Sequence, residues 1–186
     1  MNILFVDYMK KFITKIIIIF CIINFGNLTY AINIKSFKSK DGYSITYPKE
    51  YSITESQYGE GHMVIIADPK KADGGKNLMF IITAPKIFNS DFPYPTDIRL
   101  GDPLCNELEN IYSNQISQKV TLEVCQKTTL FKNGIKTVYN SMYPEYKQYQ
   151  YSIEIDDKTF LISGTCKIKN CLERDRELSS LALSIK

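Results

Sequence analysis

The 186-residue chain has no tryptophan and a single histidine, His62. One imidazole cannot build a histidine cage around a metal, and any Ser-His-Asp or Cys-His pair would have to use that residue. A glycine-rich phosphate loop is missing too, because Asp73-Gly74-Gly75-Lys76 has neither the spacing nor the strand-to-helix setting. Neither sign of charge dominates: 23 basic and 20 acidic residues leave +3. Bulk charge therefore gives no argument for nucleic acid or an anionic membrane as partner. The longest apolar run, Ile16 to Ile23, falls short of the about 20 residues that a membrane span requires. No internal repeat, low-complexity tract or long linker divides the chain.

What is present is an N-terminal leader. Lys10, Lys11 and Lys15 precede the apolar run, and Thr29-Tyr30-Ala31 closes the segment on a small residue. This is the basic, greasy and small-residue order of a cleaved secretory signal peptide, expected over 1–31. Met9-Lys10-Lys11 makes a better basic start than Met1-Asn2-Ile3. A lipid anchor on Cys21 is disfavoured by Phe20, where a small residue is normal. The expected product, 32–186, is one domain, exported to the periplasm or secreted, with no stable membrane span. It keeps 20 basic and 19 acidic residues, so most of the positive charge leaves with the leader.

Of five cysteines, Cys21 leaves as well, and Cys105, Cys125, Cys166 and Cys171 remain. In an oxidising compartment four cysteines allow three pairings. A helix from Pro103 to about Gln118 would place Cys105 roughly 20 Å before its end. A strand returning from Lys119 would bring Cys125 back by about the same distance at 3.3 Å per residue. That geometry favours Cys105 with Cys125 and leaves Cys166 with Cys171. Zinc is the competing reading, but neither pair has the two-residue spacing of a zinc hairpin.

The order of elements follows from periodicity and turn chemistry. Ile34 to Tyr47 reads as a strand pair turning at Asp41-Gly42. Tyr51–Glu55, Met63–Ala67 and Leu78–Thr83 read as strands, and the prolines of 85–102 as an irregular surface excursion. Asp102-Pro103 opens a helix with Leu104, Leu108, Ile111, Tyr112 and Ile116 on one stripe. Strand is expected over Lys119–Phe131, then an Asn133-Gly134 hairpin turn and a strand from Ile135. Over 149–155 the alternation puts Tyr149, Tyr151, Ile153 and Ile155 on one face, and Gln150, Ser152 and Glu154 on the other. Asp156-Asp157 turns into a strand from Lys158. Asn170 and Glu173 then start a last helix with Leu178, Leu181, Ala182 and Ile185 on its buried side. The expected class is α+β: a central antiparallel sheet covered by two main helices, an αβα-type sandwich.

Two segments carry a family likeness: Phe37 with Asp41-Gly42-Tyr43-Ser44-Ile45-Thr46-Tyr47-Pro48, and the closing Leu178-Ser179-Ser180-Leu181-Ala182-Leu183-Ser184-Ile185-Lys186. They resemble the opening strand pair and the final helix and tail of the PsbP-like fold family. This family includes the PsbP subunit of photosystem II, Ran-binding Mog proteins and exported bacterial proteins. The chain departs from the family where a tryptophan usually follows the first Tyr-Pro, since Tyr51 stands there. The resemblance implies a compact αβα-type fold and an accessory or binding role, and it carries no catalytic residues across.

The remaining chemistry is sparse. His62 in Gly59-Glu60-Gly61-His62 reads as an exposed turn histidine. Asp156-Asp157 reads as a turn, Glu107 and Glu109 as the solvent side of a helix, and Glu173-Arg174-Asp175-Arg176-Glu177 as a solvated face. No residue set suggests a catalytic centre, a cofactor or a metal. Tyrosines crowd 139–151, and a half-buried sheet accounts for most of them. Tyr143 and Tyr146, which flank Pro144, and Tyr94 in the proline-rich excursion are the candidate partner contacts. The expected function is therefore an exported, non-catalytic accessory or partner-binding protein of the bacterial envelope or extracellular space. The alternative is a metal-free, hydrolase-like enzyme built from carboxylates and tyrosines.

Overall fold

A computed structural model describes residues 33–70, 78–85 and 95–186. The expected leader and Tyr94 lie outside these described residues. Strands β1 (Ile34–Lys38) and β2 (Ser44–Pro48) pair as a separate hairpin. Strands β3 (Ser52–Tyr58), β4 (Gly61–Ala67), β5 (Leu78–Pro85), β6 (Leu122–Lys127), β7 (Gly134–Asn140), β8 (Tyr146–Ile155) and β9 (Lys158–Lys167) form one antiparallel sheet of order 3-4-5-9-8-7-6. Helix α1 (Pro103–Ile116) lies between β5 and β6 in the chain, and α2 (Cys171–Leu183) follows β9 through a short 3-10 turn. The class is α+β, as the periodicities predict. The sheet, at seven strands, is wider than a central sheet flanked by two main helices.

Alternation assigns each strand residue to one of two faces. On one face Val64 and Ile66 of β4, Met79 and Ile81 of β5, Tyr151 and Ile153 of β8, and Phe160 and Ile162 of β9 are all buried. They pack under Leu178, Leu181 and Ala182 of α2, with Tyr43 and Ile45 of the hairpin completing the cluster. Gly164 makes the close approach possible: a Cβ there would meet Arg174, Leu178 and Met79 side chains, each at 3.2 Å.

The charged segment of α2 is not the solvated face that its alternating signs suggest. Arg174 is only 3% exposed, donates from Nε to the Thr165 carbonyl at 3.0 Å, and pairs with Glu177 at 2.8 Å. Asp175 accepts from Tyr151 Oη at 2.6 Å and from Lys136 Nζ at 2.7 Å. Tyr51 donates its hydroxyl to Glu177 at 2.9 Å. Burying charged groups is costly unless each finds a partner, and these are partnered across the helix–sheet seam.

The chain's last residues complete the hairpin. Ser44 and Lys186 exchange backbone hydrogen bonds of 2.9 and 3.0 Å, and Thr46 N donates to Ser184 Oγ at 3.1 Å.

Three local expectations change. Asn133-Gly134 is not a two-residue turn: β6 ends at Lys127, and the connection runs from Thr128 to Asn133. Gly134 is required by space, because a Cβ would lie 2.3 Å from Thr128 Cγ2. Asp102 does occupy the N-cap of α1 with Pro103 behind it, but its carboxylate accepts from Arg99 N at 2.8 Å and makes no cap bond. Asn170 likewise sits at the N-cap of α2 without a side-chain cap bond.

Candidate functional site: a groove on the open sheet face

The second face of the sheet is covered differently. Ile135 and Tyr139 of β7 point away from α2, as do Leu122 and Cys125 of β6, and they form a smaller cluster with Tyr112, Ile98 and Val120. Helix α1 is fastened at this β6–β7 end. Cys105 is bonded to Cys125, with Cα atoms 6.1 Å apart. Glu109 Oε1 accepts from Leu122 N at 2.7 Å, so Glu109 anchors the helix and does not face solvent as expected. Tyr112 stacks on Tyr139 with centroids 5.0 Å apart, and its hydroxyl accepts from Gln150 Nε2 at 2.8 Å. Burial pushes the hydroxyl pKa of both tyrosines upward.

Beyond that anchor, no described residue closes the space between α1 and the sheet. A groove of about 1190 Å³ runs between the helix and strands β4, β5, β9, β8 and β7. Its helix wall carries Leu104, Leu108, Ile111 and Ile116, the apolar stripe visible in the sequence. Its floor is mixed: Met63, Phe80, Ile82 and Leu161 alternate across neighbouring strands with Gln148, Gln150, Ser152, Thr159 and Ser163. Apolar walls with a few convergent polar groups are the composition of a ligand site.

One mouth of the groove is polar. Asp41 of the β1–β2 turn, Glu60 of the β3–β4 turn, and Glu154, Asp157 and Lys158 of the β8–β9 hairpin gather there. Asp41 is held firmly: its carboxylate accepts from Thr83 Oγ1 at 2.6 Å and His62 N at 3.0 Å, and lies 2.7 Å from His62 Nδ1. Lys158 Nζ donates to the Asp41 carbonyl at 2.6 Å. Burial alone would raise the Asp41 carboxyl, but the hydrogen bonds from Thr83 and His62 outweigh it and hold its pKa below 3.8. His62 is therefore half-buried and partnered, not an exposed turn residue. The arrangement is not a hydrolytic triad. Thr83, the hydroxyl at hand, donates to the carboxylate and not to the imidazole, so no base activates it. A carboxyl with a lowered pKa is also a poor general acid. The cluster instead pins the hairpin to β4, β5 and β9. Among the described residues no group of His, Cys, Asp and Glu could hold a metal ion, and no helix is long and apolar enough to cross a membrane.

Comparison with solved structures places this architecture. The solution structure of cyanobacterial PsbP (CyanoP) from Synechocystis sp. PCC 6803 superimposes with a TM-score of 0.54 over 86% of this chain and 95% of that one. The chain has a PsbP-like fold. Sequence identity in that superposition is 9%, so the likeness is one of fold alone. A Bacteroides thetaiotaomicron VPI-5482 crystal structure aligns at TM-score 0.43 and 14% identity over 82% of this chain and 47% of its own. No family model and no curated protein matches the sequence.

Within the PsbP-like fold the residues singled out by sequence are dispersed. Cys166 is bonded to Cys171, with Cα atoms 5.1 Å apart, which ties the end of β9 to the start of α2. Tyr146 is buried at 4% exposure, its ring 5.8 Å beneath Lys167 Nζ. Tyr143, packed edge-on to it at 6.0 Å, is 37% exposed. Glu107 is exposed, as expected, and also lines the groove. The groove itself was hidden in plain alternation. Alternation sets Gln150, Ser152 and Glu154 apart from Tyr151 and Ile153, but it does not say that Ile82 and Leu161 of other strands line the same surface.

Proposed function

We propose that this chain is an exported, non-catalytic binding module of the bacterial envelope or extracellular space, and that the groove under α1 is its working surface. The observation that carries this reading is the groove: an apolar helix stripe faces a half-apolar sheet and leaves about 1190 Å³ uncovered by the described residues. Monomeric domains seldom leave such a surface without an occupant. The two disulfides support an oxidising destination, and the leader over 1–31 supports cleavage on export. The PsbP-like fold supports an accessory role, as does the bonding of Thr83 to Asp41 in place of His62.

The test is site-specific photo-crosslinking in the native envelope. A photoreactive residue in place of Ile111, on the groove wall, should yield a discrete adduct. The same residue in place of Leu172, exposed on α2, should yield none. Equal labelling at both positions, or none at Ile111, would sink the proposal. Mass spectrometry of the exported chain checks the leader, with an N-terminus at Ile32 expected.

A further inference from the structure

The groove is more specific than an apolar slot, and resting on the reading of it as the binding surface, its occupant can be narrowed. Its lining contains five carboxylates, Asp41, Glu60, Glu107, Glu154 and Asp157, and one ammonium, Lys158. Residues 32–186 as a whole are close to neutral, with 20 basic and 19 acidic side chains. Acidic charge is thus concentrated where the apolar surface is open. Four of the five carboxylates stand at one mouth, and that end would repel an anionic headgroup.

The floor argues against a simple aliphatic chain. Gln148, Ser152 and Ser163 lie among its apolar side chains. A hydrocarbon laid over these groups would take them from water and return no hydrogen bond. A peptide backbone brings donors and acceptors to meet them. From β4 to β7 the groove crosses five strands. At roughly 4.8 Å between neighbours that is about 19 Å, the span of about six extended residues.

We propose that the groove takes an extended, apolar peptide segment of about six residues whose lysine or arginine side chains reach the acidic edge formed at the strand ends by Glu60 and Asp157. The probe is a fluorescent six-residue leucine–valine peptide with two terminal lysines, compared with its glutamine counterpart. Binding is read by anisotropy against the purified full chain with both disulfides intact. The lysine peptide should bind about tenfold more tightly in dilute buffer, and the advantage should shrink in about 1 M salt. Combining Glu60→Gln with Asp157→Asn, both on exposed turns, should remove about tenfold from the lysine peptide and leave the glutamine peptide unchanged. Ile111→Gln, at a site already 42% exposed, should weaken both peptides by about the same factor.

If both peptides bind equally and Ile111→Gln weakens both, the charge preference is wrong and the groove reading survives. If neither binds, the peptide assignment is overturned, whatever the crosslinking at Ile111 shows. If both bind and Ile111→Gln changes neither, the groove reading falls with it.

Discussion

The two faces of the seven-stranded sheet are made from the same strands and treated oppositely. On one, adjacent strands contribute Val64, Ile81, Ile153 and Ile162 at 0% exposure, and a helix closes over them with Leu178. On the other, Phe80, Ile82 and Leu161 are of similar size yet stay partly exposed beneath a helix anchored along one edge. The difference does not lie in how apolar the strands are. It lies in the helices: α2 locks its charged residues onto the sheet, whereas α1 is fastened through Cys105, Glu109 and Tyr112 at the β6–β7 end. A closed face supplies stability, and an open one supplies a surface.

Neighbouring residues on one strand offer the strongest test of that contrast. Ile81→Ala should cost about 3–4 kcal/mol in urea unfolding, because it opens a cavity in a packed core. Ile82→Ala, one residue on and facing the groove, should cost about 1 kcal/mol, since solvent already reaches it. Equal losses would mean that the second face is filled in solution, and the comparison would collapse.

The disulfides sharpen the contrast next. Cys105 and Cys125 are 20 residues apart, Cys166 and Cys171 only 5. Chain entropy assigns about 3 kcal/mol to the longer loop and about 2 kcal/mol to the shorter. Replacing Cys105 and Cys125 by alanine should also speed hydrogen exchange in α1 selectively. Replacing Cys166 and Cys171 should leave α2 protected, because its polar clamps remain. Similar loosening of both helices would refute the idea that α1 hangs from one edge.

Alkaline pH acts on both faces. Burial raises Tyr43 to about 12 and also raises Tyr51 and Tyr151 on the closed side and Tyr112 and Tyr139 on the open side. A raised tyrosine pKa favours the neutral hydroxyl in the folded state. The stabilisation is therefore complete below pH 10 and is lost as pH climbs from 10 through the folded values. Tyr151→Phe should make that loss shallower in alkaline titrations of stability. The smallest effect should come from Asp41. Its lowered pKa stabilises the fold above 3.8, and the contribution fades as pH falls below 3.8 through the folded value. Asp41→Asn should flatten that acid limb and leave the alkaline one alone.

Much of the closed face is legible from sequence, because alternation and helical spacing describe each element's own preference. The assignment of Tyr151 and Ile153 to the core and the stripe of α1 come directly from period. What periodicity does not carry is which face a helix covers and how far. Glu173 to Glu177 has the same sign pattern whether it meets water or Lys136, Thr165 and Tyr151, which are distant in sequence. Asn133-Gly134 has the composition of a tight turn, but its glycine answers to Thr128 across a loop. His62 is paired with Asp41 from another hairpin, and nothing adjacent to either residue signals it. The groove escaped for the same reason, since its floor is assembled from four or more strands, none of which is unusual alone.

The bond between Ser44 and Lys186 has a consequence for the order of events as the chain is made. Thr46 and Ser184 are 138 positions apart, so the β1–β2 hairpin waits for a partner made much later. Until then Tyr43 and Ile45 have no helix to lie against, and the closed face cannot be sealed. Such a distant pairing makes the final docking slow relative to local hairpins. The seal lies in Ser184 and Lys186, and Ser184→Ala would loosen the hairpin before any other part of the domain.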